Sequence, residues 1–137
     1  MRLRILVLPV LLAFGDSPVR EPAGFHPPPR QVFVTGACTP AGDPGVNPPR
    51  IDVTRVDHIV WRIQSPRAAS FTITPKDPED WPFESMSFAG TRDAPAVTPE
   101  PLPNAKLNHV YSYNVTIVCT DGTVQVIDPE IVIGPGN

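Results

Sequence analysis

The alternation of apolar and polar positions is clearest in the last quarter of the chain. From Val110 to Cys119, Tyr111, Tyr113, Val115, Ile117 and Cys119 share one face of an extended strand, and Ser112, Asn114 and Thr116 share the other, because successive strand side chains point to opposite faces. Asp121-Gly122 then offers two residues of positive φ for a tight hairpin, and Thr123 to Ile127 is expected to return as the partner strand. The same period of two recurs upstream. Gln31 to Cys38 predicts a strand in which Val32 and Val34 alternate with Phe33 and Thr35, and Ile51 to Val56 predicts another. Asp57 to Ile63 is a third strand or its continuation, with Ile59, Trp61 and Ile63 on one face. Phe71 to Thr74 turns Phe71 and Ile73 inward, and Ile131 to Ile133 forms a short last strand after Asp128-Pro129. No long stretch free of breakers shows the 3.6-residue apolar period of an amphipathic helix. The expected fold is all-β: a single antiparallel Greek-key β-sandwich with almost no helix.

Composition sharpens the boundaries between these strands. The chain has 137 residues, enough for one domain with a real core, and 20 of them are proline, about three times the usual share of roughly 5%. The prolines cluster at 18–29, 40–49 and 95–103. A residue without an N–H interrupts helices and central strands, so these clusters mark loops and linkers. The middle segment, Pro75 to Phe88, is irregular and acidic, with Trp81, Phe83 and Phe88 set among Asp77, Glu79, Asp80 and Glu84.

The N-terminus has the layout of an export signal. Arg2 and Arg4 precede an apolar run from Ile5 to Phe14, and Ala13-Phe14-Gly15 places small residues where a signal peptidase inspects the chain. The run is interrupted by Pro9 and is far shorter than the about 20 apolar residues that span a bilayer. The expected organisation is a signal peptide over 1–15, a proline-rich disordered leader over 16–30, and a β-sandwich domain over 31–137. Removing residues 1–15 takes away two arginines and leaves nine basic against fourteen acidic residues, a net charge of −5. That balance argues against nucleic acid and anionic membrane as partners. A periplasmic or secreted location follows, with no membrane span after cleavage. In such a compartment Cys38 and Cys119 are most simply a disulfide, whose closure of a long loop stabilises by roughly 4 kcal/mol. Two buried thiols are the alternative.

Candidate chemistry is sparse. His58, His109 and Cys119 have metal-ligand side chains, but a strand of about ten residues spans about 33 Å, which separates His109 from Cys119. The acidic loop from Asp77 to Glu84 lacks the spacing of a calcium loop. The same loop could present Trp81 and Phe83, flanked by Asp77 and Asp80, to a protein or glycan; burial of both rings is the competing expectation. Ser112 and His109 fall on opposite strand faces, and Gly134-Pro135-Gly136 and Ala41-Gly42-Asp43 match no phosphate-cradling loop. No catalytic motif and no cofactor are implied.

Several segments of the second half are similar to cupredoxin-type sandwiches: Val60-Trp61-Arg62, Phe71-Thr72-Ile73, Trp81-Pro82-Phe83, Tyr111-Ser112-Tyr113, and the terminal Ile127-Asp128-Pro129-Glu130-Ile131-Val132-Ile133. The chain also resembles small exported bacterial proteins that end in a Tyr-x-Tyr strand and an Asp-Pro-containing strand. The resemblance implies a cupredoxin- or immunoglobulin-like sandwich. It does not bring a copper site, because no His or Met follows Cys119 and soft sulfur and imidazole ligands must converge on that metal. The expectation is therefore an exported, non-catalytic binding or accessory module acting on an unknown protein or glycan of the cell envelope. The alternative is a structural or adhesive envelope domain.

Overall fold

The computed structural model describes residues 27–35, 38 and 45–136. The export segment and most of the proline-rich leader expected from the sequence lie outside these residues. Among them the chain forms strands β1 (Arg30–Val34), β2 (Val46–Asn47), β3 (Arg50–Val53), β4 (Ile59–Ile63), β5 (Ala68–Pro75), β6 (Phe88–Thr91), β7 (Ala96–Val97), β8 (Val110–Cys119), β9 (Val124–Ile127) and β10 (Glu130–Ile133), with no helix. One sheet has the order β2-β1-β4-β7; the other has the order β3-β10-β8-β5-β6, with β9 also paired to β8. The all-β sandwich is the expected class. Its sheets are mixed, because β1 pairs parallel with β4 and β3 pairs parallel with β10.

β8 shows why this sequence makes a sandwich. Tyr111, Tyr113, Val115, Ile117 and Cys119 are all buried, whereas Ser112, Asn114 and Thr116 are only partly covered, so the period of two converts directly into one buried face. On the opposing sheet Val32, Val34, Ile59 and Trp61 are fully buried and close the core. Within the second sheet β5 pairs with β8 along most of its length, broken by a register shift between Ala68 and Ser70. Gly90 is required where β6 crosses this layer, because a Cβ there would overlap the Phe71 ring.

Two local expectations are corrected. Asp121-Gly122 does not form a two-residue turn with two positive φ angles; only Gly122 takes one, at 87°. Gly122 N donates to Cys119 O (2.9 Å) and Cys119 N to Thr123 O (2.8 Å), the pattern of a type I turn closed by a glycine bulge. Asp121 fits its place because its Oδ1 accepts from Thr123 N (2.9 Å) and Thr123 Oγ1 (2.7 Å). The first strand also ends at Val34, short of Cys38. Cys38 is buried without being in the strand, at φ 47°, and it is held there by a disulfide to Cys119 with a Cα–Cα distance of 5.5 Å.

Candidate functional site

The acidic, aromatic loop of residues 75–88 crosses the end of the sandwich where β8 begins. Trp81 and Phe83 are buried and pack edge to face, with ring centroids 5.3 Å apart. Phe83 meets Phe88 at 5.8 Å and Trp81 meets Tyr113 at 6.3 Å. Trp61 lies behind them, donating from Nε1 to the Tyr113 hydroxyl at 3.3 Å. Burial pushes the Tyr113 phenol up to about 12 against the opposing effect of that hydrogen bond, so it stays neutral. Trp81 Nε1 donates to Ser85 O at 2.9 Å and folds the loop onto its own ring. The two rings expected as candidate partner contacts are thus inward-facing, and the loop presents its polar residues to solvent.

Those polar residues are mostly committed to holding the loop. Asp77 Oδ1 accepts from Glu79 N (3.0 Å), and Asp77 O accepts from Asp80 N (3.1 Å), closing a turn. Asp80 reaches across to the segment before β8, accepting from Lys106 Nζ (2.8 Å) and pairing with His109 Nε2 (2.5 Å). Hydrogen bonds first from Lys106 and then from His109 hold the Asp80 carboxyl below the usual range, and the same contact raises Lys106. The Tyr111 hydroxyl accepts from Lys106 N at 2.6 Å and completes the clamp. Asp77 and Asp80 are therefore structural clasps here. His109 and Cys119 lie at the two ends of β8, and the Cys119 sulfur is bonded to Cys38. Among the described residues no three His, Cys, Asp or Glu side chains group as a metal site.

A different feature remains open beside the clamp. Leu102 N donates to Pro82 O at 2.7 Å, docking the proline-rich run Pro99 to Pro103 against the turn after Trp81. Between them lies a shallow cleft of about 410 Å³, lined by Pro99, Pro101, Leu102 and Pro103 together with Glu84, Glu100 and His58. Thr98, just before the proline run, is tied to β4: Thr98 Oγ1 accepts from Ile59 N (3.0 Å), and Thr98 N donates to Ile59 O (2.9 Å). His58 Nδ1 lies 3.0 Å from Thr98 O. A carbonyl only accepts, so Nδ1 carries the hydrogen and Nε2 faces Glu100 Oε1 at 4.0 Å. Among the described residues no Lys or Arg lines the cleft. Arg30, on β1, is occupied by buried Asp57 at 3.4 Å. Burial pushes the Asp57 carboxyl up, but hydrogen bonds from Thr54 and the Arg30 guanidinium outweigh that effect and hold it below its ordinary value.

This cleft is hard to foresee from sequence, because its members come from separate segments and the proline run reads as linker. Its one local signal is the spacing Pro99-Glu100-Pro101-Leu102-Pro103: alternating prolines stiffen a segment that carries a carboxylate and an apolar side chain. No protein-family model matches this chain, and no curated protein is significantly similar to it in sequence.

Proposed function

We propose that this chain is an exported, non-catalytic β-sandwich binding module whose cleft between the 82–84 turn and the Pro99–Pro103 run takes a cationic side chain of an envelope protein partner. The observation that carries this reading is the combination of proline and leucine lining residues with two carboxylates, Glu84 and Glu100, and no lysine or arginine among the described lining residues. A lysine or arginine has matching chemistry: an aliphatic stem for the proline and leucine surface and a charged head for the carboxylates. Export is supported by the Arg2/Arg4 and Ile5–Phe14 pattern and by the disulfide, which suits an oxidising compartment. The cupredoxin-like reading belongs to this proposal too. Its support is the two-layer architecture and the Trp61–Tyr113 core pair, without copper chemistry.

The test is a titration with acetylated trilysine against acetylated triglutamine, followed by tryptophan fluorescence, because Trp81 adjoins the turn that bears Glu84. Trilysine is expected to bind and triglutamine not to. The Glu84→Gln/Glu100→Gln double variant is expected to weaken trilysine binding about tenfold, since exposed ion pairs contribute about 0.2–1 kcal/mol each. Equal binding of trilysine to the protein and to the double variant sinks the proposal.

A further inference from the structure

β9 and β10 are two halves of one strand. Val118 opposes Val124 and Val115 opposes Ile127, and the same register continues through Ser112 opposite Glu130 and Val110 opposite Val132. Only the Asp128-Pro129 step interrupts it, and there Tyr113 N still donates to Pro129 O at 3.1 Å. Opposed residues of an antiparallel pair alternate between exchanging hydrogen bonds and not. With Cys119 N on Thr123 O and Tyr113 N on Pro129 O, the odd-numbered residues of this strand bond to β8. The even-numbered residues turn their backbone N–H and C=O groups the other way.

On that outer side the second half is already occupied. Glu130 N donates to Pro49 O (3.0 Å) and Gly134 N to Val53 O (2.7 Å), which is the parallel pairing with β3. β3 begins at Arg50, and the residues before it, Pro49 and Pro48, lead back to β2 in the other sheet. Among the described residues no strand pairs with the outer edge of β9. Exposed edges are ordinarily blunted by shortness, charge, proline or a bulge; Val124-Gln125-Val126-Ile127 is short, at four residues, but has no charge, proline or bulge of its own. Val124 and Val126 are each 59% exposed, and Val118, directly across from Val124, is 37% exposed. Gln125 is turned to the inner side, where its Oε1 accepts from Cys38 N at 3.4 Å, so its side chain does not shield the edge.

We infer that β9 is a docking edge for a second copy of this chain, joined antiparallel across a two-fold axis at Gln125. The local sequence Val-Gln-Val reads the same in both directions. A two-fold at its centre therefore sets Val124 of each copy against Val126 of the other. Each such pair exchanges two backbone hydrogen bonds, and the valine side chains meet on the outer face as apolar cross-strand pairs. The incoming strand lies on the outer side that β3 occupies beside β10, antiparallel where β3 is parallel. Val124 to Ile127 carries no charge, but the two-fold register brings Asp121 of each copy beside Asp128-Pro129 of the other, where Asp128 is paired with Lys76. The contact is small against the about 1,600 Å² of a standard interface, so the dimer is weak and concentration-dependent.

Sedimentation equilibrium of the disulfide-intact chain between about 1 µM and 1 mM tests this, with monomer expected at the bottom of the range and dimer at the top. The self-association is expected to strengthen with salt, because a net negative chain repels its copy. Val126→Lys is expected to abolish it, and Val110→Lys, on the same outer face but beside β10, to leave it intact. Amide exchange on the unmodified protein reads the contact directly: Val124 and Val126 amides should slow at least tenfold from low to high concentration. Monomer throughout the range, a dimer that survives Val126→Lys, or Val124 and Val126 amides indifferent to concentration each overturn the inference.

Discussion

Opening the Cys38–Cys119 disulfide is the perturbation whose size follows most directly from the structure. The two residues are separated by 81 positions and join the segment that follows β1 in one sheet to the end of β8 in the other. In the chain-entropy model, releasing a loop of that length lets the unfolded chain regain roughly 4 kcal/mol of freedom. The native side offsets little of this. Cys38 has a positive φ of 47°, which relaxation would relieve, but its N–H then loses the Gln125 side chain at 3.4 Å. With an unfolding entropy of about 2.1 cal/mol/K per residue over about 100 residues, 4 kcal/mol corresponds to a fall of roughly 20 °C in Tm. Calorimetry with and without reductant measures this, and the Cys38→Ala/Cys119→Ala variant should melt within a few degrees of the reduced protein. The urea m-value should rise as well, because a chain without the crosslink unfolds to a more expanded ensemble. A Tm change under about 4 °C would show that the crosslink contributes little, and a large fall with an unchanged m-value would place its contribution in native contacts; either result refutes the entropic reasoning.

Tyr113→Phe removes only the hydroxyl that accepts from the fully buried Trp61 Nε1. Leaving that indole N–H without a partner is expected to cost about 1–3 kcal/mol in denaturant unfolding, with no change in far-ultraviolet circular dichroism. Asp80→Asn tests the clamp over the loop. Its folded pKa lies below the ordinary carboxylate value, so its contribution is fully present above the unfolded pKa of about 3.9 and is lost as pH falls through the folded value. The variant should therefore be less stable than the parent by about 1 kcal/mol near pH 6, and the difference should vanish toward about pH 2; a difference independent of pH would show that the carboxylate charge is not what matters.

The parts of the fold that can be read from the sequence are those in which a local pattern carries the burial. β8 is legible residue by residue because one face of a long strand is buried and the other is wet. β6 and β7 are not, because Phe-Ala-Gly-Thr and Ala-Val are too short to show a period, and their place is set by Gly90 yielding to the Phe71 ring. The Asp-Gly turn is legible as a turn but not as a type, since Asp121 is equally at home accepting from Thr123 in the three-residue form. The pairing of Cys38 with Cys119 is legible from an even cysteine count, yet Cys38 is buried by the disulfide itself rather than by strand phase. The parallel pairings β1–β4 and β3–β10 depend on crossovers between sheets, which no local pattern encodes. The cleft is invisible for the same reason: His58, Glu84 and Glu100 converge only after Leu102 has docked on Pro82.

The polarity of β8 separates the two proposed contacts. Its first residue adjoins His109, the Asp80 clamp and the cleft end of the sandwich, while its last is Cys119, beside the β9 edge. Gln125, the centre of the inferred two-fold, opposes Ile117, so about seven strand residues, or roughly 25 Å, lie between that axis and the cleft end. Because the axis stands perpendicular to the sheet and the joined strands run antiparallel, the clefts of the two copies point away from each other, roughly 50 Å apart. Dimerisation at β9 thus neither covers the cleft nor completes it. A chain that binds trilysine but never dimerises, or one that dimerises but ignores trilysine, is physically coherent, so each proposal stands or falls on its own measurement.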